Sequence, residues 1–329
     1  MVTDANEKAL GGGEPAFSPR RASGTAGRSD RFKKFIKKNG AGFIFALPVT
    51  LGLIFFTAYP LLSSLYYSFF REYTVLRDPE GFDLFYNLNR MFNDPEWIKA
   101  VTNTVIYTVV NVPLTMVLSF MLAVFLNSKV KGIGVYRVLI YLPCTMSVVV
   151  SGVAWRLLVD VDFGWMNQIL NAVGLPSYSF LDKASSSMPT MIFVGLWGLG
   201  GSMVLWLSQL KNISPELYEA ADLDGASSAR KFFFITIPMC TPMIFYNLVM
   251  SVIASFQVFA QAATLVQGGG KENSLLFYVT KIYSEYNTCV SQGTMGYACA
   301  MAWVLFVIVA CFTAIIFKSS KWVFYGGDE

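Results

Sequence analysis

Residues 216–238 read ELYEAADLDGASSARKFFFITIP. Glu216, Glu219, Asp222 and Asp224 fall close together, followed by Gly225, a basic pair, three aromatics and Pro238. The flanking sequence is strongly apolar, so this is a polar island between two hydrophobic runs. Ser214 is a good helix N-cap and Pro215 a good first helical residue. Glu216 and Glu219 sit in the first turns, where the helix dipole favours negative charge. The spacing predicts a short helix over PELYEAADL, ended by Gly225 in a left-handed conformation. ASSARKFFFITI predicts a second helix at a membrane face, with Phe232, Phe233 and Ile235 turned to lipid or protein, and Pro238 sets the start of the next apolar run. Two helices with a glycine break, hung from two apolar stretches, make a rigid knob. The carboxylates have no His or Cys beside them, so no acid–base chemistry is read from the pattern.

The rest of the chain explains why such an island is unusual. Of 329 residues, 54% are hydrophobic and only 14% charged, against roughly 25% charged in soluble domains. This is the composition of a membrane protein. There is no His, which removes the commonest general base and metal ligand. Cys144, Cys240, Cys289, Cys299 and Cys311 lack metal-site or CxxC spacing and read as small buried hydrophobes. Neither a metal nor a bound cofactor is expected.

Residues 1–38 read as a disordered basic cytoplasmic tail, ending in the cluster Arg31, Lys33, Lys34, Lys37 and Lys38 at a membrane surface. Six apolar stretches follow, near 42–70, 100–127, 133–157, 190–210, 239–265 and 296–317. Each supplies the ~20 residues that cross a bilayer core as a helix, and their continuous apolarity excludes barrel strands. The fourth contains GLWGLGG, where small residues permit close helix packing. Residues 39–321 are thus expected to form an all-α, six-span transmembrane domain, with a loop at 211–238 and a C-terminal tail at 322–329. Lys and Arg concentrate in the tail and in the segments holding Lys129, Lys131, Arg137, Lys211, Arg230, Lys231, Lys318 and Lys321, so the positive-inside rule places both termini and the 211–238 loop in the cytoplasm. Arg156, near the outer end of the third span, has Asp160 four residues on. That spacing suggests a snorkelling side chain with a local ion pair; a substrate or gate role is the sharper alternative.

The stretch EAADLDGASSARKFFFITIP resembles the EAA motif of binding-protein-dependent ABC importer permeases. Glu219, Ala220, Ala221, Asp224, Gly225, Ala226, Phe232, Ile235 and Pro238 match its pattern. The resemblance covers roughly residues 40–320 and is nearest the carbohydrate branch, the maltose-type and glycerol-phosphate-type permeases. FNDPEWIKAVTNTVIYT (92–108), YLPCTMSVVVSGVAWRLL (141–158), FGWMNQILNAVGLP (163–176), SFQVFAQAATLVQGGG (255–270) and GYACAMAW (296–303) are similar to that branch. Two departures occur: Gly268-Gly269-Gly270 stands where Gly-Gly-Pro is frequent, and Ser208-Gln209-Leu210 where a small residue, Gly and Leu are. The resemblance implies a type I ABC importer permease fold in a prokaryotic inner or plasma membrane. It also implies a second homologous permease, two ABC ATPase subunits that use the ATP and Mg, and an extracytoplasmic solute-binding protein that delivers a sugar. On this reading Glu219, Ala220, Ala221, Asp224, Gly225, Ala226 and Pro238 couple the spans to an ATPase.

The chain itself is not expected to be an enzyme. No GxxxxGK[ST] occurs, and in GGGKENS (268–274) Lys271 is followed by Glu272. For the solute, Asn247, Ser251 and Ser255 recur every fourth residue along one face of the fifth span, with Tyr246, Phe256 and Phe259 nearby as aromatic platforms; helix–helix hydrogen bonding is the competing role for this stripe. The alternatives for the whole chain are an ion-coupled secondary transporter, for which paired intramembrane carboxylates or inverted repeats are lacking, and a non-transporting anchor or receptor, which leaves the EAA pattern unexplained.

Overall fold

The computed structural model describes residues 42, 44–74, 76–128 and 131–324; the tail expected over 1–38 and the last residues of the C-terminal tail lie outside them. The chain divides into two units, Met1–Pro60 and Leu61–Glu329. The described part of the first is helical and apolar, the beginning of helix α1 (Ile44–Tyr67).

The second unit departs from an all-α reading at its start. The first span, expected to reach residue 70, stops at Tyr67, and an antiparallel hairpin follows: β1 (Phe70–Thr74) and β2 (Arg77–Phe82), with Phe70 opposite Phe82 and Glu72 opposite Glu80. Among the described residues all other regular elements are helical. They are α2 (Tyr86–Phe92), α3 (Pro95–Leu126), α4 (Ile133–Tyr141), α5 (Val148–Leu158), α6 (Trp165–Ala172), α7 (Ala184–Leu196), α8 (Gly200–Asn212), α9 (Pro215–Leu223), α10 (Ser228–Lys231), α11 (Ile237–Phe256), α12 (Ala260–Leu265), α13 (Tyr278–Gln292) and α14 (Met295–Lys318).

Among the described residues four helices are long and apolar enough to cross a membrane, and six spans result if each of two bent pairs counts as one. The bends have local causes. The stretch expected as one span over 133–157 turns by 99° between its two helical parts, after a 3-10 turn at Leu142–Thr145 that contains Pro143. The stretch at 190–210 bends by 46° within GLWGLGG. A Cβ on Gly200 would lie 2.5 Å from Ile140 O and 2.9 Å from the Cα of Tyr141, so glycine lets α8 touch the α4 backbone. The fifth apolar stretch is likewise interrupted, α11 ending at Phe256 and α12 beginning at Ala260.

Helix α3 runs the length of the unit and passes three apolar clusters. Trp97 and Val112 pack with Tyr278, Tyr297 and Met301. Tyr107 packs with Trp155, Met191 and Phe277. Ala123 and Leu126 pack with Met203, Trp206 and Cys240, where the Trp206 Nε1–H donates to Ser119 Oγ at 3.0 Å. Outward-facing residues of the spans, such as Val109, Val117, Met121, Val307 and Ile315, are exposed apolar side chains, as a lipid-facing surface requires.

The beginning of α3 holds a buried charge cluster. Asp94 caps the helix, its carboxylate accepting the Glu96 N–H at 2.9 Å. Lys281 on α13 is 5% exposed; its Nζ lies 2.7 Å from Glu96, 2.9 Å from Glu285 and 3.3 Å from Asp94. The Tyr297 hydroxyl donates to Asp94 at 2.9 Å, and the Arg90 guanidinium sits over the Tyr297 ring at 4.2 Å. Burying an ammonium costs several kcal/mol, which only such close, multiple pairing offsets. The opposite end of α3 packs beside Trp206 and Ile213, where the chain leaves α8 for the polar island.

Candidate functional site

The island forms the two-helix knob that its local signals predict. Pro215 opens α9, and Ser214 occupies the N-cap position, but its hydroxyl makes no cap hydrogen bond. The far end of α9 is closed by a complete Schellman arrangement. The Gly225 N–H donates to Asp222 O at 3.1 Å and the Ala226 N–H to Ala221 O at 2.9 Å. This requires a left-handed residue after the C-cap, and Gly225 supplies it with φ +70°. The motif spacing from Ala221 to Asp224-Gly225-Ala226 is therefore that of a helix stop. Ser227 caps α10, accepting the Arg230 N–H at 3.3 Å.

A π-turn at Phe232–Thr236 then carries the chain into α11, with the Ile237 N–H bonded to Phe232 O. Pro238 falls in the first turn of α11, where its missing N–H is absorbed by the widened turn. Ser228–Phe256 is consequently one helical run of 29 residues, and the second arm of the knob is the end of a membrane span. The arms are tied together: Lys231 Nζ lies 2.6 Å from Asp222, and the Tyr218 and Thr236 hydroxyls share a 2.9 Å hydrogen bond. Phe232 packs on Phe120 and Phe120 on Trp206, and Gln209 Nε2 donates to Met239 O at 3.0 Å. Glu219, Ala220, Asp224 and Gly225 remain exposed, Ala221, Ala226 and Pro238 half-buried. Leu223 is 91% exposed. Among the described residues, the Glu219 and Asp224 carboxylates meet no cation.

Deeper in the helices a cavity of about 250 Å³ is lined by Tyr107, Asn111, Thr115, Gly195, Gly198, Ser251, Ser255 and Gln261. A second, of about 230 Å³, shares Gly195, Gly198 and Gln261 and adds Cys144, Ser151 and Trp197. Asn111 Oδ1 and Thr115 Oγ1 are buried without a hydrogen-bond partner, a state that native interiors avoid unless a ligand or solvent group satisfies it. A Cβ at Gly195 would approach Tyr107 Oη to 2.9 Å and Asn111 Oδ1 to 3.0 Å, so glycine there keeps the polar wall open.

Residues 89–323 match the family described as binding-protein-dependent transport system inner membrane component. The chain belongs to that family. It is 37% identical over 314 residues to a probable ABC transporter permease, YesP, of Bacillus subtilis, covering 93% of this chain and 99% of the relative. It is 31% identical to the lactose transport system permease LacF of Rhizobium radiobacter, covering 90% of this chain and 98% of the relative. The fold matches that of a chain in a bacterial alginate ABC transporter, crystallised with an alginate pentasaccharide-bound periplasmic protein, at a TM-score of 0.78 and 21% identity, over 91% of this chain and all of that one. This chain is a multi-pass membrane permease with the type I ABC importer permease fold.

The permease distributes the expected pathway residues unevenly. Ser251 and Ser255 line the larger cavity, though Ser255 Oγ also donates to Thr108 Oγ1 at 2.9 Å. Asn247 is buried and its Nδ2 donates back to Met243 O at 3.0 Å. Phe256 lies in the apolar core against Phe312, Phe259 packs on Tyr283, and Tyr246 is exposed on the span surface. Tyr107, Asn111, Thr115 and Gln261 were not selected from the sequence, because their pairing depends on where α3 crosses α7 and α12. The Asp222–Lys231 and Tyr218–Thr236 ties of the knob were also missed; an i+9 or i+18 partner across a glycine break has no periodic signature.

Proposed function

We propose that this permease imports a sugar or sugar-like solute, driven by ATP hydrolysis in separate ATPase subunits to which the 211–238 knob couples it. One observation carries the reading: an exposed, doubly capped knob whose second arm is continuous with a span that lines a polar cavity. A push on the knob then displaces the cavity wall without a flexible joint between them. Glu219 and Asp224 are the handles for a basic ATPase surface, and Leu223 inserts beside them. Gly225 sets the angle between the arms, and Pro238 lies at the foot of the lever. The chain performs no hydrolysis; ATP and Mg belong to the partners.

Relatives named for arabinooligosaccharides, lactose and trehalose/maltose support a carbohydrate cargo. The cavity suits one: Asn111, Thr115 and Ser251 offer hydrogen bonds, and Trp197 in the adjoining cavity an aromatic face. A second permease completes the pathway, an extracytoplasmic binding protein delivers the solute, and both termini and the knob are cytoplasmic. The test is co-purification of the tagged full chain, identification of the attached ATPase, permease and binding protein, and ligand screening on the last. Recovery of an ATPase that Glu219→Lys releases is the expected result. A chain that transports alone along an ion gradient overturns the reading.

A further inference from the structure

Arg156 is a charged side chain that neither the knob nor the central cavity uses. The ion pair suggested by its spacing to Asp160 does not form. Helix α5 ends at Leu158, so Asp160 has left the helical face, and its Oδ1 accepts the backbone N–H groups of Asp162 at 3.0 Å and Phe163 at 3.3 Å. Arg156 instead borders a cavity of about 410 Å³, the roomiest of those above, together with Asp160, Asp182, Gln267 and Lys271. The cavity lies where α5 and α12 end and just before α7 begins. The α7–α8 pair leads from it to the knob, so the two sites occupy opposite ends of the spans.

Lys271 is held there by a constrained loop. Gly268, Gly269 and Gly270 have φ of 61°, 86° and 75°, and Glu272 and Asn273 follow at 55° and 54°. Side-chain-bearing residues disfavour that region, and proline cannot adopt the φ of Gly270. Buried Asn103 on α3 fixes the loop, its Nδ2 donating to Asn273 O at 2.8 Å and Leu276 O at 3.0 Å. Among the described residues neither Arg156 nor Lys271 has an ion-pair partner. Asp160 engages its own turn through one oxygen, so two cations without an ion-pair partner share the cavity with two carboxylates, Asp160 and Asp182.

We propose that this cavity receives a carboxylate-bearing sugar unit, a uronic acid residue of an oligosaccharide, at the mouth of the permease. Arg156 and Lys271 take its carboxylate, the guanidinium as a planar fork and the ammonium as a point charge; Asp182 and Gln267 take its hydroxyls. With no ion-pair partner in the chain, the guanidinium and the ammonium are free to pair with an incoming carboxylate, while the carboxylates of the lining suit hydroxyl donors. The inference rests on the sugar-importer reading and narrows its substrate class.

The test measures uptake by cells carrying the complete transporter, using a set of uronic acid oligosaccharides and their carboxyl-reduced counterparts of identical length and linkage. The acidic forms are expected to be favoured about tenfold or more, with a preference that weakens as salt rises. Arg156→Gln and Lys271→Gln each lower the acidic-to-reduced ratio about tenfold, Arg156→Lys restores part of it, and Asp182→Asn does not lower it. Equal uptake of both forms by the wild type, or a ratio unmoved by both Gln variants in complexes that still assemble, overturns the inference and leaves the sugar reading standing. Uptake of neither form by an assembled complex also overturns the inference, and the sugar reading then stands or falls on ligand screening of the binding protein.

Discussion

At one end of the spans Lys281 is 5% exposed and holds three carboxylates within 3.3 Å; at the other, Glu219 and Asp224 are exposed and meet no cation. The same residue types serve two ends. Charges buried at the beginning of α3 are paired inside the chain, because desolvated charge left single is costly. Charges on the knob stay solvated and cost little to keep single, so they are free to pair with something else. Burial thus separates a charge that assembles the fold from one left free for a partner.

The largest effect expected from breaking this contrast is at Lys281. Lys281→Met strands Asp94 and Glu285 beside an apolar chain and should cost about 3 kcal/mol or more, read as a drop in Tm of the detergent-solubilised permease. Neutralising Glu285 as well should recover part of that loss. The cluster also has a defined pH window. Burial acts to lower the ammonium pKa of Lys281, but its bonds to Glu96 and Glu285 and the nearby carboxylate charges outweigh it and raise the value above the ordinary 10.5. Its contribution is therefore full below 10.5 and is lost as pH climbs through the raised value. Burial would raise Asp94, but the Tyr297 hydrogen bond, the Lys281 charge and the Glu96 N–H outweigh it and hold it below 3.8. That contribution is full above 3.8 and is lost as pH falls through the lowered value. Tm measured against pH should be flat in this respect between those limits, and Lys281→Met should remove the alkaline edge and weaken the acid one, because the Tyr297 and Glu96 bonds to Asp94 remain.

On the knob the expected effect moves from stability to coupling. Glu219→Lys should cut ATP-driven uptake about tenfold or more while the stability of the isolated chain stays within about 0.5 kcal/mol of the wild type. Normal uptake would sink the docking assignment. Tyr218→Phe removes one tie between the arms, worth about 1 kcal/mol, and should raise the ATP hydrolysed per solute moved. The smallest effects separate the two caps: Ser227→Ala should cost about 1 kcal/mol of local helix stability, whereas Ser214→Ala should cost only a few tenths, because its hydroxyl caps nothing. Hydrogen exchange of the α9 and α10 amides distinguishes them.

Much of the knob was legible from sequence because its signals are local. Proline at the first helical position, glycine after the last and serine before the next act within a few residues. The spans were legible as apolar stretches, but their bends were not. Pro143 and the glycines of GLWGLGG gain their meaning from a neighbour, as Gly200 does from the backbone of Ile140. The Lys281 cluster joins positions 185 residues apart, which no periodicity records. Arg156 shows how a sound local rule fails: i,i+4 pairing assumes that the helix continues, and this one stops two residues before Asp160. The polar stripe of the fifth span divides: Ser251 and Ser255 border the cavity, whereas Asn247 turns to its own backbone, which an amide on a helix can always do.

The π-turn at Phe232–Thr236 carries one residue more than a regular helix would hold there. Each residue of an α-helix advances the side chains by about 100°. That single extra residue therefore sets the angular phase between the face of the knob and the face of α11 that borders the cavity. Deleting one residue from FFFIT would leave every contact type available and the helical run unbroken, yet turn the knob to face another direction. In this permease the angle between the two ends is written as a count of residues.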